Sequence, residues 1–132
     1  MSERKAIFIT GGASGIGLAV GKYFSERGWF VGLTDINTSG LAEAATQLSG
    51  ECFTYKHDVR DREAWDEALK AFHEAAGGRI DVMFNNAGIP VGGLLHENSA
   101  DEIDRCLDIN LKGVLYGAQA AYPYLKETAP GS

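Results

Sequence analysis

Short apolar runs alternate along this chain with stretches whose apolar residues recur every three or four positions. Lys5 to Thr10 is a compact apolar run that stops at Gly11 and Gly12 and predicts a buried strand. Ile16, Ala19, Val20, Tyr23 and Phe24 then fall on one helical stripe, which ends near Gly28. Phe30 to Asp35 predicts a second strand, and Leu41, Ala44, Ala45 and Leu48 a short helix closed by Gly50. Cys52 to Lys56 predicts the third strand. Asp61 is placed to cap a helix with Trp65, Leu69, Phe72 and Ala76 on one face, ended by Gly77 and Gly78. Asp81 to Phe84 reads as a fourth strand, central and apolar. Ser99 and Glu102 form a capping box ahead of one long helix with Ile103, Leu107, Val114, Ala118 and Leu125 on its inner face. Strands alternating with helices imply right-handed crossovers and a parallel sheet covered on both faces. The fold class is therefore α/β, with no internal repeat and one long loop, from Gly88 to Asn98.

Composition changes this picture little. The chain has 132 residues, 45% hydrophobic and 23% charged, which suits one soluble globular unit. Glycine departs from the norm: 17 residues, nearly twice the usual share, not gathered in a linker and so serving tight turns or close backbone approach. The net charge of −6 disfavours nucleic acid or an anionic membrane as a partner. It leaves room for one nucleotide, because helix N-termini hold phosphate through backbone N–H groups. Cys52 and Cys106 lack any spacing suited to zinc and read as reduced intracellular thiols, and no metal site is expected. No apolar run reaches the ~20 residues of a membrane span, and no signal-peptide pattern opens the chain.

Four constellations carry chemistry. Thr10 to Gly17 is glycine-rich, with glycines at 11, 12, 15 and 17, and lies between the first strand and first helix. A loop so placed turns tightly and lets backbone approach a pyrophosphate at the helix N-terminus. The alternative is a turn that only packs helix on sheet. Asp35 ends the second strand, 18 residues after Gly17; its carboxylate can accept from ribose hydroxyls and repels a 2′-phosphate. Ile36, Asn37 and Ser14 supply no cation nearby, which favours NAD over NADP, unless Asp35 merely caps the next helix. Asp58 and Val59 could meet an adenine amino group and ring face, or be a turn residue and a core valine. Asn85, Asn86, Ala87 and Gly88 follow the fourth strand, where small residues suit close approach of a ligand.

These motifs share one order and one sheet edge, and together the chain from about Lys5 onward resembles the short-chain dehydrogenase/reductase family in its classical subgroup. The loop Thr10 to Gly17, Asp35, Asp58 with Val59, Asn85 to Gly88, and Asn110 to Gly113 carry the resemblance. It implies a Rossmann-type doubly wound sheet in the strand order 3-2-1-4. It implies that Gly11, Ser14, Gly15, Ile16 and Gly17 hold the pyrophosphate side, Asp35 and Ile36 the ribose end, and Asp58 and Val59 the adenine. Asn86, Ala87 and Gly88 would line the cofactor, Asn85 would tie neighbouring strands, and Asn110, set on the apolar helix face, would be a catalytic asparagine holding a water. NAD is the implied cofactor, a secondary alcohol or ketone the substrate class, and a cytoplasmic homo-oligomer the implied state.

The family's Ser and Tyr-x-x-x-Lys belong roughly 25 to 45 residues beyond Asn110, past Ser132, so the chain is expected to be an N-terminal portion, inactive alone. Tyr122 and Lys126 have the right spacing in the wrong place: Pro123 disfavours helix at Tyr122, and Tyr122 can pack in the apolar stripe. The fourth strand is then expected to be an open edge, with Gly113 and Gly117 facing solvent and the chain prone to aggregate or to pair with a second chain. His96 reads as a solvated loop residue. The alternative function is a non-catalytic NAD-binding or interaction module. A flavodoxin-like or receiver domain shares the alternation but does not account for Asn85 to Gly88.

Overall fold

A computed structural model describes residues 3–90 and 92–128; Val91, inside the predicted long loop, falls outside it. Four strands form one parallel sheet: β1 (Ala6–Thr10), β2 (Phe30–Asp35), β3 (Cys52–Lys56) and β4 (Val82–Phe84), in the order β3-β2-β1-β4. Between them run α1 (Gly15–Ser25), α2 (Thr38–Ala45) and α3 (Arg62–Ala75), followed by α4 (Ala100–Leu107), a π-helical segment (Asp108–Lys112) and α5 (Gly113–Glu127).

The pleat of β1 separates two cores. Ala6 and Phe8 face α3 and α5 with Trp65, Leu69, Phe72 and Ala121, whereas Ile7 and Ile9 face α1 and α2 with Val31, Leu33, Leu41 and Ala44. Both faces are apolar because both are covered, which is why the strand reads as a continuous run. This is the doubly wound parallel α/β sheet of Rossmann type.

Asp61 caps α3 as predicted, accepting from the N–H groups of Glu63 (3.1 Å) and Ala64 (3.3 Å). Ser99 caps α4, accepting from the Glu102 N–H at 3.1 Å. The fourth strand begins one residue later than expected, because Asp81 turns its carboxylate back to accept the Ala6 N–H at 2.8 Å. The β4 strand lies, as expected, at an edge of the sheet among the described residues, and it is only half-buried.

Several expectations about the helices need correction. On α1 the buried residues are Gly17, Gly21 and Ser25, while Ile16 and Tyr23 of the predicted stripe are exposed. The helix sits so close to β2 that glycine, not isoleucine, forms the contact: a Cβ on Gly21 would come within 2.9 Å of Leu33. The α2 helix stops at Ala45, and Leu48 reaches the core from the turn beyond it. The predicted long helix is divided by the π segment, and its buried residues are Ile109, Gly113, Gly117, Ala120 and Ala121. Ile103, Leu107, Val114 and Ala118 of the predicted inner face point outward. Gly113 and Gly117 do not face solvent; Cβ atoms there would strike Val59 and Trp65. Small residues again form the inner face because the axis runs close to its neighbours. Pro123 is accommodated inside α5 with Tyr122 helical, and Tyr122 is exposed and not part of a packed stripe.

Candidate functional site

The carboxyl ends of the strands surround a cavity of about 340 Å³. It lies where β1 parts from its two neighbours, β2 leading to one side and β4 to the other, the place where open parallel sheets take ligands. Gly11, Ser14, Ile16, Asp35, Ile36, Asp58, Val59, Asn86, Ala87 and Gly88 all line it. Three of the predicted site residues do not: Gly15, Gly17 and Asn110.

The loop after β1 is held in place by the loop after β4. Thr10 Oγ1 accepts the N–H groups of Asn86 and Ala87, each at 3.0 Å, and Asn86 Nδ2 donates to the Gly11 carbonyl at 3.2 Å. Gly11 adopts φ 65°, and a Cβ there would lie 3.0 Å from Ala87 Cα. A Cβ on Gly17 would strike the Gly11 carbonyl. Glycine at 11 and 17 is therefore required by packing. Gly15, at φ 57° with open space where a Cβ would sit, is the one of the three that leaves room beside the helix end. Ser14 is the N-cap residue of α1 but makes no side-chain cap bond, so its hydroxyl is free to serve a ligand. The first turn carries no acidic residue, and the unpaired N–H groups and helix dipole there favour an anion.

Asp35 does not cap α2; Asn37 does, accepting from the Gly40 N–H at 3.0 Å. The Asp35 carboxylate instead accepts the Ala13 and Asn37 N–H groups, each at 3.2 Å, which fixes it at the cavity wall. Asp58 is gripped by Arg60: the Arg60 guanidinium reaches both of its oxygens, at 2.7 to 3.2 Å, and the Arg60 N–H donates at 3.0 Å. That grip holds the Asp58 carboxyl below the usual carboxylate range, against its partial burial. Two cations that the reading of Asp35 and its neighbours did not include, Arg60 and Arg105, line the same cavity. Arg105 arrives from α4, and no spacing in the sequence signals that approach.

His57 was also missed. Only 3% exposed, it lies against the rings of Trp65 (4.3 Å) and Phe8 (6.1 Å), and neither ring nitrogen has a hydrogen-bond partner among the described residues. Burial pushes its pKa down to about 4, against the pull of Asp58 and Asp61. Its one signal is its place directly before Asp58.

Asn110 lies in the π segment and is exposed, not set in an apolar face. Its side chain is nonetheless satisfied: Oδ1 accepts the Ile89 N–H at 2.8 Å, and Nδ2 donates to the Ile89 carbonyl at 2.7 Å. This clasp fixes the loop after β4, whose Gly88 has no room for a larger side chain because a Cβ would lie 3.2 Å from Asn110 Oδ1. A π segment in an α-helix often marks a functional site. Asn85 bonds the Val114 carbonyl at 3.5 Å and so ties β4 to α5, not strand to strand. Tyr122 and Lys126 stand on α5 away from the cavity lining, and His96 is exposed in its loop. Cys52 and Cys106 are free thiols. No helix among the described residues is long and apolar enough to cross a membrane.

Known proteins share this arrangement. The family model described as short chain dehydrogenase matches residues 5–132. An uncharacterized oxidoreductase of Staphylococcus aureus is 36% identical over 128 residues, covering 96% of this chain and 55% of the relative. One from Staphylococcus epidermidis is 33% identical over 129 residues, covering 98% and 56%. Among solved structures, a short chain dehydrogenase/reductase from Burkholderia phymatum in complex with NAD superposes with a TM-score of 0.87 at 30% identity, over 94% of this chain and 46% of that one. A short chain dehydrogenase from Bacillus anthracis gives 0.87 at 30% identity, over 94% and 52%. The chain spans about half the length of the relatives it matches.

Proposed function

The chain belongs to the short-chain dehydrogenase family, and from that premise we propose that it forms the dinucleotide-binding part of an NAD-dependent oxidoreductase acting on a secondary alcohol or ketone. The observation that carries this reading is the cavity at the sheet's carboxyl edge, with a free helix N-terminus, a fixed carboxylate at Asp35 and exposed Ile16 and Ile36 on one wall. Exposed isoleucines beside unpaired backbone donors suit a ligand with an aromatic base and a phosphate.

Each residue then has a task. The first turn of α1, with Ser14 and the open backbone at Gly15, holds the pyrophosphate through N–H groups and the helix dipole. Asp35, already oriented by Ala13 and Asn37, accepts from the ribose hydroxyls of the adenosine half and disfavours a 2′-phosphate. Asp58 and Val59 meet the adenine. Asn86, Ala87 and Gly88 border the path toward the nicotinamide half, and Asn110 keeps that border in place through Ile89. When bound, the cofactor supplies a hydride acceptor or donor. In the whole enzyme the proton would move through the family's Tyr-x-x-x-Lys pair, with Asn110 holding a water. The same reading makes the protein a cytoplasmic homo-oligomer.

Fluorescence titration of Trp29 and Trp65 with NADH and NADPH tests the reading. NADH is expected to bind more tightly, and Asp35→Asn to narrow the difference by about tenfold, one charge-assisted interaction. Failure of both dinucleotides to bind at millimolar concentration refutes it.

A further inference from the structure

The cavity has two unlike walls. On the α1–α2 side, Ile16 is 70% exposed and Ile36 55%, so broad apolar faces stand open. On the α3–α5 side Val59 and Ile109 also line the cavity but are only 7% and 9% exposed, most of each side chain being packed in the core, with Val59 against Gly113. A flat base entering between them would find a broad face on one side and little more than the rim of Val59 on the other.

One group can supply the missing face. Arg105 precedes Ile109 by four residues and so projects from the same side of its helix, one turn further out. It lines this cavity and also a smaller one bounded by Ile89, Pro90, Gly92 and Glu102, standing between the two. Its guanidinium has no ion pair among the described residues, although Asp101, Glu102, Asp104 and Asp108 share its helical stretch. Asp108 pairs with Lys112 at 3.5 Å, and Glu102 accepts from Asn98 at 3.1 Å. The other guanidinium in the cavity, Arg60, is held by Asp58 and is not free to move over a ligand.

We propose that Arg105 stacks its guanidinium plane on the adenine of the bound dinucleotide, across the cavity from Ile36. The proposal rests on the dinucleotide reading above and adds a residue to it. A planar, weakly hydrated cation stacks on an aromatic face in a way that a lysine ammonium does not reproduce. The free state of Arg105 is what such a role requires, since a paired guanidinium would have to break its pair before each binding event.

The test is titration of the full chain with adenosine, ADP and NADH, for the wild type, Arg105→Gln and Arg105→Lys. Both variants are expected to weaken all three ligands by a similar factor, roughly 3- to 10-fold. Because the residue is exposed, circular dichroism should show an unchanged fold. Wild-type affinity for ADP in Arg105→Lys, or a loss confined to ADP and NADH with adenosine unaffected, would mean attraction to phosphate and overturns the stacking proposal. Unchanged affinity in Arg105→Gln overturns it as well. If the wild type binds NADH and the variants bind it equally, only this proposal fails; if the wild type binds none of the three, the dinucleotide reading fails with it.

Discussion

β1 and β4 lie side by side, in register from Ile7 against Val82 to Ile9 against Phe84, yet every residue of β1 is buried and every residue of β4 only half-buried. β1 has a strand on each side and helices over both faces. β4 has one strand neighbour among the described residues, and the helical stretch beyond it turns Ile103, Leu107, Leu111, Leu115 and Tyr122 outward. The difference shows that an apolar sequence records an environment, and that the environment of β1, α2 and α3 is complete here while that of β4, α4 and α5 is one-sided.

The sharpest way to break this comparison is to remove a large side chain on each side of it. Trp65 is fully buried, donates from Nε1 to the Val59 carbonyl at 3.0 Å, and lies against the backbone of α5 at Gly117. Trp65→Ala should cost roughly 3–5 kcal/mol. Leu111→Ala, at a side chain 53% exposed in the π segment, should stay within about 0.5 kcal/mol. Urea unfolding measures both. Equal losses would mean that Leu111 is covered in solution.

Why one side was legible follows from the same contrast. β1, β2, β3 and α3 read correctly because their burial is decided by their own periodicity and by partners within these residues. Asp61 read correctly as a cap because a cap is a local device. On α1 and α5 the pattern misled, because the contacts are made by Gly17, Gly21, Gly113 and Gly117, and glycine carries no hydrophobic signal. The larger residues beside them were assigned to the core in their place. In the site, Asp35, Asp58 and Asn86 could be found from their positions at strand ends. Arg60 and Arg105 could not be assigned, because the rotation of a side chain and the return of α4 to the cavity are tertiary facts. Thr10 reads only as the start of a glycine motif, because its grip on Asn86 and Ala87 depends on β4 lying beside β1.

Acid tests the same contrast at its boundary, because His57 belongs to the complete side while Asp58 beside it opens on the cavity. The buried ring favours the neutral form, with a pKa near 4 against 6.5 for a free histidine. Between those values the unfolded chain binds a proton on His57 that the folded chain refuses. Stability from this group is therefore full above pH 6.5 and is lost as the pH falls through about 4, by at most about 3 kcal/mol. Asp58 and Asp81 lose stabilisation in the same direction. Burial works against Asp81, but Arg79 and the Ala6 N–H outweigh it and keep its carboxyl below the ordinary range. The checks are unfolding from pH 7.5 to 4.5 and the His57 ring resonance by NMR. A ring that titrates near 6.5 would place His57 in water, and with it the seam between Trp65 and the cavity.

The smallest expected effect separates the two sides most finely, because it compares one device in two settings. Asp61 and Ser99 both cap a helix through side-chain oxygens, Asp61 accepting from two backbone N–H groups at the start of α3 and Ser99 from one at the start of α4. Removing such a cap costs about 1 kcal/mol where the helix end is coupled to the rest of the fold. The α3 helix is so coupled: it buries Trp65, Ala68, Leu69 and Phe72, so a frayed first turn loosens the core, and Asp61→Ala should show the full cost in global unfolding. None of the residues of α4 is buried. Ser99→Ala should therefore change global stability by only a few tenths of a kcal/mol, while amide exchange in α4 speeds up by local opening. A full 1 kcal/mol global cost at Ser99 would show α4 to be part of the cooperative core, and the division between a complete and a one-sided half would then have to be drawn at α5.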